Sequence, residues 1–317
     1  MPAIPLLPRV AAILALAVSS VVAADWSSDY EAARKQAATE KKDLLIDFTG
    51  SDWCTWCIKL RQEVFEQAPF EAGVKDRYLL VELDYPKDKS RLTEAVAKQN
   101  EELLKKYPIK SYPSILLCDA DGKPFAVTGY QPGGPEAYLK HLEELQARKV
   151  ARDKGLADAG SKTGVEKAKL LIGTLEGMQL SPEMLSSWYG DVATQIKEAD
   201  PADETGFAKR EATQAAFAGY MTKLMELRAK QDLEAVAKLV EETLANPLVK
   251  GEVRTQVYGH HAGTLAYAGK KDEAIKVLQT AVKDPDAEPG RKELEDFIKI
   301  LEREKAGLPP VAPEKKN

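Results

Sequence analysis

The strongest constraint in this chain is a run that reads as a buried strand, Asp43-Leu44-Leu45-Ile46-Asp47-Phe48, leading through Thr49-Gly50-Ser51-Asp52 into Trp53-Cys54-Thr55-Trp56-Cys57-Ile58-Lys59-Leu60. The last stretch opens a helix over about 54–66, and a strand that feeds directly into a helix belongs to a sheet with helices packed on it. Two cysteines three residues apart at such a junction can be a redox pair, a clip for a soft ion such as Cu(I), or two core residues. A cysteine at a helix start faces free backbone N–H groups and the positive end of the helix dipole, which stabilise a thiolate. One turn later the second cysteine lies beneath it. The spacing suits disulfide exchange, with Cys54 attacking and Cys57 resolving the mixed disulfide.

The 317 residues suffice for two domains with separate cores. Ser28-Asp29-Tyr30-Glu31 opens a helix to about Glu40, and strands are expected at 43–48, 78–83, 114–118 and 124–127, with further helices at 95–106 and 135–148. Asp119-Ala120-Asp121-Gly122 reads as the turn of a hairpin. The order αβαβαββα predicts an α/β domain over 25–148, a sheet between helices. From about Lys149 strand-like runs vanish and an all-α domain is expected over 149–307, with a proline- and charge-rich disordered tail at 308–317. Tyr258, Ala262, Leu265, Gly269, Ala274, Leu278 and Ala281, with Pro285 beyond, follow the small and large positions of a tetratricopeptide-like helical hairpin. A plain irregular helical bundle fits the rest equally well.

Arg9 precedes an apolar run over 10–22, and Ala23, Ala24 and Asp25 follow it. This is the pattern of a secretory signal peptide at 1–24, too short to span a bilayer, with cleavage after Ala23 or Ala24. No later stretch approaches membrane length, so an exported protein, periplasmic or extracellular, without an integral membrane segment after cleavage is expected. The net charge of −5, with Lys and Arg spread along the chain, sets nucleic acid aside. The three cysteines are too few for a disulfide-stapled scaffold, and Cys118 sits in an apolar strand as a core thiol. A zinc site has no ligand set, since His141, His260 and His261 have no cysteine or histidine partner at ligand spacing. Two-electron thiol exchange needs no cofactor. Trp53 and Trp56, beside the attacking cysteine, are expected to form an apolar rim for the substrate.

"LLIDFTGSDWCTWC", followed by "SYPSILLCDADGKP", resembles the thioredoxin superfamily, and within it the exported thioredoxin-like domains with Ser-Asp-Trp ahead of the first cysteine. It is also similar to the periplasmic C-terminal domain of the transmembrane thiol-disulfide reductase. The resemblance covers about 26–148. It implies that Cys54 and Cys57 are the redox pair, that Pro113 is cis and faces them, and that Tyr112 offers its backbone to an extended substrate. It further implies that Gly129 borders the substrate groove and that Asp47 is the buried acid taking a proton from the resolving cysteine. Six residues separate Asp47 from Cys54, one more than in ordinary thioredoxin, so the loop before the pair is longer. The expected function is an exported thiol-disulfide oxidoreductase, more suited to reduction, acting on protein or peptide disulfides and served by an upstream thiol partner. Oxidase or isomerase chemistry, or a non-enzymatic partner- or Cu(I)-binding adaptor, are the alternatives.

Overall fold

Five strands form one mixed sheet in the order β1-β3-β2-β4-β5 in a computed structural model that describes residues 25–308. The expected signal peptide, and the expected tail beyond Leu308, lie outside the described residues. β1 (Trp26–Ser27), β3 (Tyr78–Asp84) and β2 (Asp43–Thr49) run parallel, while β4 (Ser114–Cys118) and β5 (Pro124–Thr128) are antiparallel additions. All seven residues of β2 are buried, as expected of a central strand with both faces covered, which is why its sequence is dominated by apolar residues, with Asp47 the one acid inside the run. Cys118 is fully buried in β4, without a disulfide partner, and burial pushes its thiol up.

Helices α1 (Tyr30–Glu40), α2 (Thr55–Leu60), α3 (Ala68–Val74), α4 (Glu94–Lys106) and α5 (Gly134–Ala159) accompany the sheet. Asp29 rather than Ser28 caps α1, its carboxylate accepting the N–H of Ala32 at 2.9 Å. The expected helix over 54–66 is α2 continued by a π turn at Arg61–Phe65. Two elements escape the sequence reading: β1 has two residues and α3 seven, both too short to show a period.

The helix expected to close near 148 runs on to Ala159. The chain forms two compact units, the first reaching Ser161 and taking in Gly173–Asp191, the second comprising Lys162–Ile172 and the chain from Val192. Helices α6 (Gly164–Gly177) and α7 (Pro182–Ala199) therefore each contribute to both. Within the first unit, Trp188 of α7 stacks on Tyr107 at 4.7 Å and donates its indole N–H to the carbonyl of Lys106 at 2.9 Å. The neighbouring Tyr189 hydroxyl donates to the carbonyl of Pro124 at 2.7 Å, and buried Arg152 of α5 bridges Tyr189 and Asp119. The compositional change near Lys149 thus marks the end of the strands, not of this core.

In the second unit, α8 (Phe207–Ala229), α9 (Leu233–Leu244), α10 (Glu252–Tyr267), α11 (Lys271–Val282) and α12 (Arg291–Lys305) are helical, as the sequence predicts. Tyr258, Ala262, Leu265, Ala274, Leu278 and Ala281 meet in one apolar cluster with Leu294 and Leu301 of α12. His260 and His261 are packing residues of α10, partly buried and held below the ordinary histidine range first by that burial. His141 shares a hydrogen bond of 2.8 Å with the Thr128 hydroxyl. Among the described residues, no helix is long and apolar enough to cross a membrane.

Candidate active site

The loop between β2 and α2 is tied down residue by residue to the last residue of β3 and the segment that follows it. Ser51 donates its N–H and its hydroxyl to the Asp84 carboxylate, at 2.9 and 2.6 Å. Asp52 accepts the backbone N–H groups of Lys87 and Asp88, both at 2.9 Å, and these bonds hold its carboxyl below the usual range. Trp53 donates its indole N–H to the carbonyl of Tyr85 at 2.9 Å. The extra loop residue is therefore absorbed by a three-point attachment, and Ser-Asp-Trp is the set of side chains that makes it.

Cys54 is the N-cap of α2 and is joined to Cys57 by a disulfide, with Cα atoms 5.2 Å apart. Its Sγ accepts the backbone N–H of Cys57 at 3.2 Å, so an amide of the first helical turn points at the sulfur that would carry the thiolate. Both cysteines are buried, Cys54 at 6% exposure and Cys57 at 3%. The slightly more exposed of the two residues is the expected nucleophile.

Around the pair, Trp56 and Trp53 are 54% and 39% exposed, so they form a surface rim rather than core. Trp53 packs edge-on against Tyr112 at 5.5 Å, and Tyr112 against Tyr85 at 5.6 Å. Trp56 lies 5.0 Å from Tyr130, with the Lys59 ammonium over both rings at 5.2 and 5.0 Å. The Tyr112–Pro113 peptide bond is cis. Because Ser114 pairs with Phe48, Pro113 stands at the end of the sheet from which the cysteine loop departs. A Cβ on Gly129 would come within 3.0 Å of the Pro113 carbonyl oxygen, so a side chain there would press on the cis-proline segment.

Asp47 lies in β2, the strand that leads into the cysteine loop. It is buried, its Oδ1 has no hydrogen-bond partner, and burial pushes its carboxyl up to about 7, against the pull of Arg61 and with a push from Asp84. Arg61 forms an ion pair with Glu82. A cleft of about 540 Å³ reaches this region, lined by Thr49, Cys57, Arg61, Glu82 and Asp84 among others. Among the described residues no group of three or more His, Cys, Asp or Glu could hold a metal ion.

The thioredoxin-like domain family matches residues 30–146. The disulfide bond reductase DsbH of Chlamydia pneumoniae is 33% identical over 118 residues, which are 37% of this chain and 70% of that protein. This chain belongs to the thioredoxin superfamily. The thioredoxin-related protein DsbJ of the same organism is 34% identical over 92 residues, but the chain spans only 26% of its length. A solved structure, DsbH oxidoreductase, aligns at 30% identity and a TM-score of 0.37, covering 39% of this chain and 85% of that one.

With its Cys-x-x-Cys pair this thioredoxin-like chain is a thiol-disulfide oxidoreductase, able to hold two electrons as the Cys54–Cys57 dithiol and to release them as the disulfide is formed. Lys59, Tyr85, Tyr130, Arg61, Glu82 and Asp84 were not singled out from the sequence. Lys59 and Arg61 sit five and seven residues after Cys54, and a helical projection from the cysteines would have found them. The β3 carboxylates follow only from the register. Gly50 carries the loop's tightest packing, since a Cβ there would lie 2.5 Å from the Trp53 indole. Gly50→Ala should lower stability by about 1–3 kcal/mol, the usual cost of an overpacked site, and should free Trp53 from Tyr85. Urea titration together with tryptophan fluorescence checks this, and an unchanged midpoint with unchanged emission would show that the ring simply moves aside.

Proposed function

We propose that this chain is an exported protein disulfide reductase whose catalytic residues are Cys54, Cys57 and Asp47, and whose helical part after about residue 149, tetratricopeptide-like at least over α10 and α11, positions clients. The observation that carries the reading is a helix-capping Cys54, preceded in the adjoining strand by the buried Asp47, whose Oδ1 is without a hydrogen-bond partner and whose carboxyl is pushed up to about 7. In the reduced protein the Cys54 thiolate attacks one sulfur of a client disulfide, breaking that bond and forming a mixed disulfide, and the departing client thiolate takes a proton. Cys57 then gives its proton to Asp47 and attacks the Cys54 sulfur, expelling the second client thiolate, which is protonated in turn. Two electrons and two protons pass to the client, and an upstream dithiol partner must restore the pair. The aromatic rim of Trp53, Trp56 and Tyr112, with Pro113 and Gly129 beyond, suits an extended client segment. The signal-peptide pattern in the sequence and the name of the matched disulfide bond reductase support export and direction.

The test is the reduction potential of the mature chain equilibrated with glutathione, alongside insulin reduction. The expected potential lies nearer the ~−270 mV of thioredoxin than the ~−120 mV of DsbA. A value at the oxidising end, with oxidation of reduced client proteins, would replace the reductase with an oxidase or isomerase. Stoichiometric Cu(I) retention without turnover would favour the adaptor.

A further inference from the structure

On the face of the sheet next to α2, three carboxylates share two register rows. Asp47 and Thr49 of β2 stand beside Glu82 and Asp84 of β3. Residues two apart in a strand point to the same face, and register partners in adjacent strands do so too. Above them Arg61 follows Cys57 by one helical turn, and its backbone N–H bonds to the Cys57 carbonyl. Its guanidinium is held by Glu82 and also acts on Asp47. Cys57, Arg61, Glu82 and Asp84 line the same cleft, so the resolving cysteine and this cation share one opening to solvent. The charged and titratable groups around Asp47 are Glu82 and Asp84 from β3, Arg61 from the turn after α2, and Tyr138 from α5, while β4 presents Ile115.

We propose that Arg61, restrained by Glu82, is a positioning residue that governs when Asp47 can take the proton of Cys57. This rests on the reading of Asp47 as the acceptor in the resolving step. A proton acceptor works best when its affinity for the proton is matched to the working pH. An arginine turned wholly onto Asp47 would hold the carboxylate ionised and make it too weak a base. Without the arginine, burial beside Asp84 and Glu82 would keep Asp47 protonated through neutrality and unable to accept. The Glu82 carboxylate shares the guanidinium and keeps Asp47 between those limits. The step itself is unchanged: the Cys57 S–H proton moves to Asp47, the Cys57–Cys54 bond forms, and the Cys54–client bond breaks.

The experiment is single-turnover reduction of a peptide disulfide by the pre-reduced full chain across about pH 5 to 9, comparing wild type with Arg61→Met, Arg61→Lys, Glu82→Gln and Asp47→Asn. Arg61→Met is expected to move the midpoint of the pH–rate profile upward by about one pH unit, the scale of a nearby opposite charge. Glu82→Gln is expected to move it downward, and Arg61→Lys to restore the wild-type position. If Asp47→Asn removes the pH step but neither Arg61→Met nor Glu82→Gln displaces it, Asp47 is the acceptor and Arg61 does not tune it, which overturns the inference alone. If Asp47→Asn leaves the step in place, the acceptor reading fails and the inference falls with it. Should Arg61→Met not fold, the downward displacement in Glu82→Gln decides.

Discussion

Cys54→Ser reduces no client disulfide above background, because a serine hydroxyl at its ordinary pKa is not a nucleophile toward sulfur. Cys57→Ser behaves differently: attack by Cys54 survives, resolution does not, and the chain accumulates as mixed disulfides with its clients. The asymmetry follows from position. Cys54 caps the helix, receives the Cys57 amide at 3.2 Å and is the more exposed of the two residues, while Cys57 lines the acid-bearing cleft. Non-reducing gels and mass spectrometry of an exported-protein extract passed over each variant measure it. Trapping by Cys54→Ser and none by Cys57→Ser would reverse the two roles.

Replacing Asp47 with asparagine stabilises the oxidised chain at about pH 8 by an amount on the order of 2–4 kcal/mol and leaves it nearly unchanged near pH 4. The carboxyl has an ordinary value of 3.8 and is pushed up to about 7 by burial. A group raised in this way binds more protons in the folded state between those limits. Its contribution is therefore fully present below the unfolded value and is lost as pH rises through the folded one. Above about 7 the wild type carries an ionised carboxylate in its core with Oδ1 unpartnered, and asparagine removes that charge while keeping the shape. Urea unfolding at the two pH values tests the sign and the window together. An equal gain at both would mean that the effect is packing and not charge.

The stability that Asp47 forfeits at neutral pH is consistent with a carboxyl kept for chemistry. Asp43, four residues earlier in the same strand and also buried, accepts Lys149 at 2.6 Å and Gln146 at 2.9 Å, the ordinary way to bury an acid. Asp47 has no such pair of partners. The Lys149 contact also shows how α5, past the end expected from sequence, supports the strand that carries the site.

Much of the redox unit was legible from local sequence. The apolar run of β2, the cysteines at its helical exit, the hairpin turn after Cys118 and the all-helical second half each follow from short-range patterns of period or composition. Those patterns depend only on neighbours in the chain, and so does the helix cap at Cys54, one turn before Cys57. The resemblance carried by two short motifs added Pro113, Gly129 and Asp47.

Tertiary structure alone decided three things. The parallel register of β2 with β3 sets Glu82 and Asp84 beside Asp47 and Thr49, a pairing between segments more than thirty residues apart that no local period encodes. The attachment of Ser51, Asp52 and Trp53 to the end of β3 and the chain after it shows why a longer loop is tolerated, because its cost is offset by bonds to a distant segment. The return of Trp188 and Tyr189 to the first unit extends that core beyond the compositional change at Lys149. Composition reports which residues can form helix; which core a helix covers depends on long-range packing, and that is settled only when the chain folds.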